Sequence, residues 1–118
     1  MNQDETVTLA THLKTLRTFL NRWRGGTARL WEFQAAHCHL TIRIERPGAH
    51  GNLHVICLGP EFIHGPVQWD DCALEVDMES DQFGRTARYI LRDIPANFEV
   101  RTDEIEVKEH CKPFSWYT

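Results

Sequence analysis

Histidine and cysteine are the side chains of this sequence best suited to metal binding. Seven histidines and four cysteines occur in 118 residues. His37 and His39 are two positions apart, which on a strand would direct both rings to one face. A ligand from a neighbouring strand could complete a facial site, and His54 is the nearest histidine beyond the loop at residues 46–52. The pattern therefore predicts His37, His39 and His54 as the ligands if a divalent metal binds.

The same histidines also fit a simpler interpretation. No spacing in the chain matches a zinc finger, a zinc ribbon or a metalloprotease signature. His37 and His39 would then be polar side chains on the exposed face of a strand, in register with Thr41, Arg43 and Glu45. We favour this interpretation and expect no metal or other cofactor.

Nucleophilic chemistry has little support in the sequence. A reactive thiolate needs a nearby imidazole or a helix N-terminus, and no cysteine begins a predicted helix. Cys38 lies between His37 and His39, whose rings would leave a strand on its opposite face. No glycine-rich loop follows a strand and opens a helix, as phosphate binding requires. We therefore predict no catalytic and no cofactor-binding residues. The cysteines, all expected as free thiols, are Cys38, Cys57, Cys72 and Cys111.

The charge distribution argues against nucleic acid as a partner. The formal net charge is −4, and residues 49–118 carry thirteen acidic side chains against six basic ones. Phosphate contacts need a cationic face. No apolar run approaches the roughly 20 residues that span a bilayer, and the acidic N-terminus lacks the pattern of a secretory signal. The sequence thus predicts a cytoplasmic protein without nucleic-acid or membrane contacts.

An amphipathic helix is predicted over about residues 7–24. Its apolar stripe recurs at steps of four and three residues and consists of Leu9, Leu13, Leu16, Leu20 and Trp23. Thr6 and Thr8 are candidate N-caps. Gly25 and Gly26 would end the helix, because glycine readily takes the left-handed conformation at the C′ position. The stripe is expected to pack against a sheet.

Strands are predicted from about residue 28 to residue 110, where the apolar period changes to two. One alternating set is Cys38, Leu40, Ile42 and Ile44. Trp31 and Phe33 alternate in the opposite phase, so a break is expected near residues 35–37. Residues 53–58 are apolar on both faces, which indicates a central strand.

Two later segments are predicted to form a buried plug and a polar turn. Phe62 and Ile63 lie between two Gly-Pro pairs and are predicted to form a short buried plug. A polar turn is predicted at residues 102–103, across which residues 98–100 would pair with residues 105–107.

An acidic strand and an aromatic tail are the candidate contact surfaces. Glu75, Asp77 and Glu79 alternate along a strand predicted from about Cys72 to Met78, and they would face outward. The aromatic side chains of the tail, residues 111–118, are Phe114, Trp116 and Tyr117. Exposed aromatic side chains often mark protein partners.

These patterns predict one α+β domain over residues 1–118, with the N-terminal helix packed on a curved antiparallel sheet. The sheet would contain about five to seven strands in a hairpin meander. The leading hypothesis is a non-catalytic accessory or binding protein that acts through protein–protein contacts, of which self-association is the simplest form. The alternative is a metal-dependent or ligand-binding enzyme that uses a histidine cluster in a pocket between helix and sheet.

Overall fold

One N-terminal helix and a curled antiparallel sheet make up the described part of the chain, which confirms the predicted α+β class. The computed structural model describes residues 3–80 and 87–111, with side chains described for residues 8–79 and 88–110. Helix α1 spans Gln3–Arg22. The strands are β1 (Thr27–Gln34), β2 (His39–Glu45), β3 (Asn52–His64), β4 (Gln68–Trp69), β5 (Glu75–Ser80), β6 (Ala87–Asp93) and β7 (Phe98–Cys111).

The sheet joins two three-stranded meanders. Its strand order is β4-β1-β2-β3-β7-β6-β5, and every pair is antiparallel. Strands β1, β2 and β3 form one meander, and β5, β6 and β7 form the other. The last strands of the two meanders, β3 and β7, pair with each other at the centre of the sheet. The break predicted near residues 35–37 is a turn at residues 35–38 that separates β1 from β2.

Helix α1 ends where the glycine pair predicts but begins earlier than expected. It starts at Gln3, so Thr6 and Thr8 lie within the helix and are not N-caps. Gly25 has a φ of 90°, the left-handed conformation expected after the last turn. Gly26 lies against the backbone of β2, where an added Cβ would overlap the carbonyl oxygen of Glu45. Within the described residues, no helix has the length and apolar character needed to cross a membrane.

The predicted apolar stripe of α1 packs against the sheet. Leu16, Leu20 and Trp23 are buried, and Leu13 is partly buried against the same core. The sheet contributes the alternating side chains Leu40, Ile42, Ile44, Leu53, Val55, Cys57, Val76, Leu91, Val100 and Ile105. The helix and sheet therefore share one hydrophobic core.

Polar contacts fix the helix over β5 and β7. The Nε atom of Arg17 donates to the Val76 carbonyl at 3.1 Å, and its guanidinium bonds to Asp77 at 2.6 Å. At the other end of the helix, the Trp23 indole donates to Glu109 at 2.7 Å. Burial opposes ionisation of Glu109, but hydrogen bonds from Trp23 and a neighbouring arginine hold its pKa below the usual range.

The predicted turn at residues 102–103 is wrong, because β7 runs without interruption from Phe98 to Cys111. Phe98, Val100 and Thr102 are buried, but further along the strand the buried position is Ile105. The buried positions therefore change from even to odd numbers within the strand. In the sequence alone, this change of phase looks the same as a turn between two strands. The backbone stays extended because β7 pairs with β3 on both sides of this change. Thr102 Oγ1 also donates to the carbonyl of Leu58 in β3 at 2.7 Å.

Strand β5 begins at Glu75, later than the predicted Cys72, because the preceding residues bond elsewhere. The Cys72 amide donates to the Gly26 carbonyl at 2.9 Å. The Ala73 amide donates to the buried carboxylate of Asp93 at 2.7 Å, and the Trp69 indole donates to the same oxygen at 2.7 Å. Asp93 thus ties the chain before β5 to the end of β6, and its burial is offset by these donors.

We predict that Leu16→Ala lowers the free energy of unfolding by about 2–5 kcal/mol, since it opens a cavity in the core. Urea denaturation of the two proteins measures this difference. Thr18→Ala, at an exposed position of the same helix, is the matched control and should change stability by less than about 0.5 kcal/mol. Equal stabilities for wild type and Leu16→Ala would contradict the packing of α1 on the sheet.

Candidate functional site

The structure does not bring the three predicted metal ligands together. His37 lies in the turn at residues 35–38 and not on a strand, so the assumed strand spacing of His37 and His39 is wrong. The turn contains Cys38 in a left-handed conformation with a φ of 49°, which interrupts the side-chain alternation. His39 begins β2, and its Nε2 atom lies 3.1 Å from a carboxylate oxygen of Glu32.

His54 lies on the same face of the sheet as His39 but too far away to share an ion. In the β2–β3 ladder His39 is opposite Leu58, whereas His54 is opposite Arg43. Four residues of strand correspond to about 13 Å. Within the described residues, no group of three or more His, Cys, Asp or Glu side chains is placed to hold a metal ion.

His54 instead belongs to a cationic row that crosses four strands. In direct register from β1 to β7, the row consists of Arg29, Arg43, His54 and Lys108. The guanidinium of Arg43 lies 4.3 Å from the centre of the Trp31 ring and bonds to Glu45 at 2.7 Å. These contacts offset part of the repulsion between like charges on neighbouring strands.

The surroundings of His54 favour its neutral form. Its side chain is buried, and Nε2 has no hydrogen-bond partner among the described residues. Burial lowers its pKa from the usual 6.5, and the charges of Arg43 and Lys108 act in the same direction. Glu32 opposes them to a smaller extent. Protonating His54 therefore requires placing a charge in a buried site beside other cations.

The described cysteines are free thiols in surroundings unsuited to nucleophilic chemistry. Burial raises the pKa of Cys57 to about 12. Burial and then the charge of Asp93 raise the pKa of Cys72 to about 11. Cys38 is exposed on its turn, while the side chain of Cys111 lies outside the described residues. Both buried thiols remain protonated at neutral pH and fill the core as small apolar side chains.

The acidic residues of β5 are exposed, as the sequence predicts, and they lie on an edge strand. Asp77 pairs with Arg17 at 2.6 Å, and Glu79 lies 3.7 Å from Arg101. The aromatic side chains proposed as the second contact surface, Phe114, Trp116 and Tyr117, lie outside the described residues. Of the two predicted contact surfaces, only the acidic strand can therefore be placed on the fold.

An apolar surface at one end of the sheet is a feature that the sequence interpretation missed. Phe62 and Ile63 were predicted to be buried, but they are 46% and 40% exposed. Val67 and Ile94 are also well exposed. Gly65 packs so closely on the backbone of residues 97–98 that a Cβ would come within 2.7 Å of the nearest Cα. This contact holds the end of β3 beside the turn that contains Ile94. Phe62 and Ile94 line one groove there, and we call these two residues the apolar end.

A groove of 400 Å³ opens between Phe62 and Ile94. Phe98 forms part of its lining and packs on Trp69, with ring centres 4.5 Å apart. The remaining lining residues are His64, Arg92, Asp93, Asn97 and Glu99. The only local signal for an exposed site was the density of glycine and proline around residues 59–66, which is typical of surface loops.

A cavity of 390 Å³ also lies between α1 and the sheet, where the alternative hypothesis places a histidine pocket. Among its described lining residues there is one histidine, His12, and no histidine cluster.

The chain matches no protein-family model, and no curated protein or solved structure is significantly similar to it. Function must therefore be inferred from the surfaces and cavities themselves.

We predict that wild-type stability falls as the pH is lowered below about 6.5 because of His54. The pKa of His54 is lower in the folded state, so the unfolded chain binds more protons as pH falls through this range. Stability continues to fall until the pH is below the pKa of His54 in the folded state. The total loss is ~1.4 kcal/mol for each unit by which the pKa of His54 differs between the folded and unfolded states. Urea denaturation between about pH 7.5 and pH 5 measures the effect.

The pH test includes a variant that cannot titrate and a matched control. His54→Gln should flatten the pH dependence, whereas His37→Gln, at an exposed position of a turn, should leave it unchanged. The same slope in wild type and His54→Gln would show that another group causes the acid destabilisation.

We predict that iodoacetamide modifies Cys38 in the native protein long before it modifies Cys57 or Cys72. The thiol of Cys38 is accessible to the reagent, while burial shields the thiols of Cys57 and Cys72 and raises the pKa of each. Mass spectrometry of digested samples over time gives the order. Equal rates at the three positions would contradict the burial of Cys57 and Cys72.

Proposed function

We propose that this protein is a non-catalytic binding protein that acts through protein contacts, and that the apolar end is its contact surface. The observation that carries the proposal is the exposure of Phe62 and Ile94, which line one groove at the end of the sheet. Large apolar side chains that remain in water together are typical of interaction sites. The groove between Phe62 and Ile94 would accept an apolar side chain of the partner.

The charges around the groove favour a second copy of this chain as the partner. Glu99 lies 3.2 Å from Arg101 and 4.0 Å from Arg92, so the rim charges are paired within one molecule. The guanidinium of Arg101 also lies 5.9 Å from the Phe62 ring centre. In a twofold dimer the same surface faces itself, and unpaired charges of one sign would repel. A rim whose charges are already paired avoids that cost.

The acidic edge strand β5 is a poorer candidate for the contact surface than the apolar end. Arg17 occupies the Val76 carbonyl, which lies on an edge strand, and neutralises the adjacent Asp77. An edge strand with an occupied carbonyl and exposed charges is a poor template for another strand. Association through β5 is therefore disfavoured, and the apolar end is the better candidate.

We predict that wild-type protein forms a dimer whose population rises with concentration, as sedimentation velocity would show. Ile94→Asp and Phe62→Ser should each raise the dimer Kd by about 10- to 100-fold. The reason is that each removes a large apolar side chain whose burial is worth about 1.5–3 kcal/mol. The matched control is Phe33→Ser, which removes an exposed apolar side chain that does not line the groove.

The dimer proposal has two outcomes that would overturn it. A wild-type protein that stays monomeric at all concentrations would exclude self-association and leave a different protein as the partner of the apolar end. A dimer that survives Ile94→Asp and Phe62→Ser but dissociates with Phe33→Ser would place the interface on β1.

A further inference from the structure

The cavity between α1 and the sheet combines apolar walls with an acidic rim. Its volume of 390 Å³ is within the usual range for small-ligand sites. Among the described residues, it is lined by Leu9 and His12 of α1, Met78 of β5, Tyr89 of β6 and residues 103–106 of β7. Asp103, Glu104 and Glu106 are exposed, while Ile105 is buried. No lysine or arginine is among these described lining residues.

The acidic rim lies where the buried positions of β7 change from even to odd numbers. Thr102 and Ile105 are both buried, and the two residues between them, Asp103 and Glu104, are both exposed. On a regular strand neighbouring side chains alternate between faces. The irregularity allows two consecutive carboxylates to line one cavity, as strand irregularities do at many binding sites.

Tyr89 supplies a polar group that has no use elsewhere in the described structure. Its side chain is only 4% exposed and lines the cavity, and its hydroxyl has no hydrogen-bond partner among the described residues. The hydroxyl oxygen is not itself fully buried, so it is open to the cavity and can bond to a ligand there. The ring of His12 stands edge-on to Tyr89, with centres 6.0 Å apart.

His12 is held in place by a hydrogen bond to the sheet. Its Nε2 atom lies 2.9 Å from the carbonyl oxygen of Ile105. Because a carbonyl oxygen only accepts hydrogen bonds, Nε2 carries the hydrogen. The residues that line the cavity thus include hydrogen-bond acceptors, namely the Tyr89 hydroxyl oxygen and the carboxylates of three acidic residues.

We propose that this cavity binds an alkylammonium group, meaning a primary amine in its charged form on an apolar stem. The ammonium would lie at the rim against Glu104 and Asp103 and donate to the Tyr89 hydroxyl, while the stem would contact Leu9, Met78 and Ile105. Three carboxylates without a lining cation favour a positive ligand, and the aromatic rings add attraction for it. A free amine and the side chain of a lysine share this chemistry. The site is separate from the apolar end and does not depend on dimer formation.

The protonation state of Tyr89 supports this role. Burial, and then the negative charge of Glu104, raise the pKa of Tyr89 above its usual value of 10. The hydroxyl is therefore neutral at physiological pH, and its oxygen can accept a hydrogen bond from an ammonium group.

The test is an NMR titration of the full chain at about pH 7 with hexylammonium, using hexan-1-ol as the neutral control. Hexylammonium should shift the amide signals of Tyr89 and Ile105 and bind at least about tenfold more tightly than hexan-1-ol. Glu104→Gln should weaken hexylammonium binding about tenfold, and Tyr89→Phe several-fold. Glu75→Gln is the matched control, since it removes one exposed carboxylate that does not line the cavity.

A second titration distinguishes the two sources of the ammonium group. Nα-acetyl-lysine N-methylamide carries the same group on a peptide-like backbone. Binding of both compounds would assign the site to lysine side chains as well as free amines, and binding of hexylammonium alone would assign it to free amines. Equal affinity for hexylammonium and hexan-1-ol, or unchanged binding by Glu104→Gln and Tyr89→Phe with intact amide spectra, would overturn the proposal.

Discussion

The antiparallel pairing of β3 with β7 is the constraint on which the rest of the structure depends. Each of these strands closes one meander, so their pairing converts two small sheets into one. The joined sheet supports the helix, since Arg17 of α1 bonds to β5, and Trp23, directly after the helix, bonds to Glu109 of β7. The groove at the apolar end depends on this pairing directly, because residues of both β3 and β7 line it.

Much of the fold could be predicted because local patterns determine it. The apolar stripe of α1, the glycine that ends it and the alternation in β2 each depend on residues within a few positions. The predicted turn at residues 102–103 failed because one strand that changes its buried side resembles two strands. Only the pairing with β3, about 40 residues away in sequence, keeps β7 extended there. The exposure of Phe62 and Ile63 was missed for a similar reason, since composition does not show what covers a side chain.

The candidate sites were harder to predict than the fold because they combine residues from distant strands. The cationic row and the cavity at Tyr89 require the register of several ladders, which no single segment encodes. The histidine pattern failed locally, since Cys38 adopts a left-handed conformation and moves His37 off the strand. His54 remained noteworthy for a different reason, because the row places it between two cations. Sequence spacing thus identified reactive side chains without locating their neighbours.

The central position of β7 has a consequence for how the chain is made. Strand β3 ends at His64, whereas β7 is complete only at Cys111, about 47 residues later. At ~5–20 residues per second, synthesis leaves the long edge of β3 without its partner for roughly 2–9 s. Residues 53–58 in that strand are apolar on both faces and carry no Lys, Arg, Asp or Glu, a composition that promotes pairing between chains. The nascent protein therefore passes through an interval in which the apolar strand β3 has been made but β7, which will pair with it, has not.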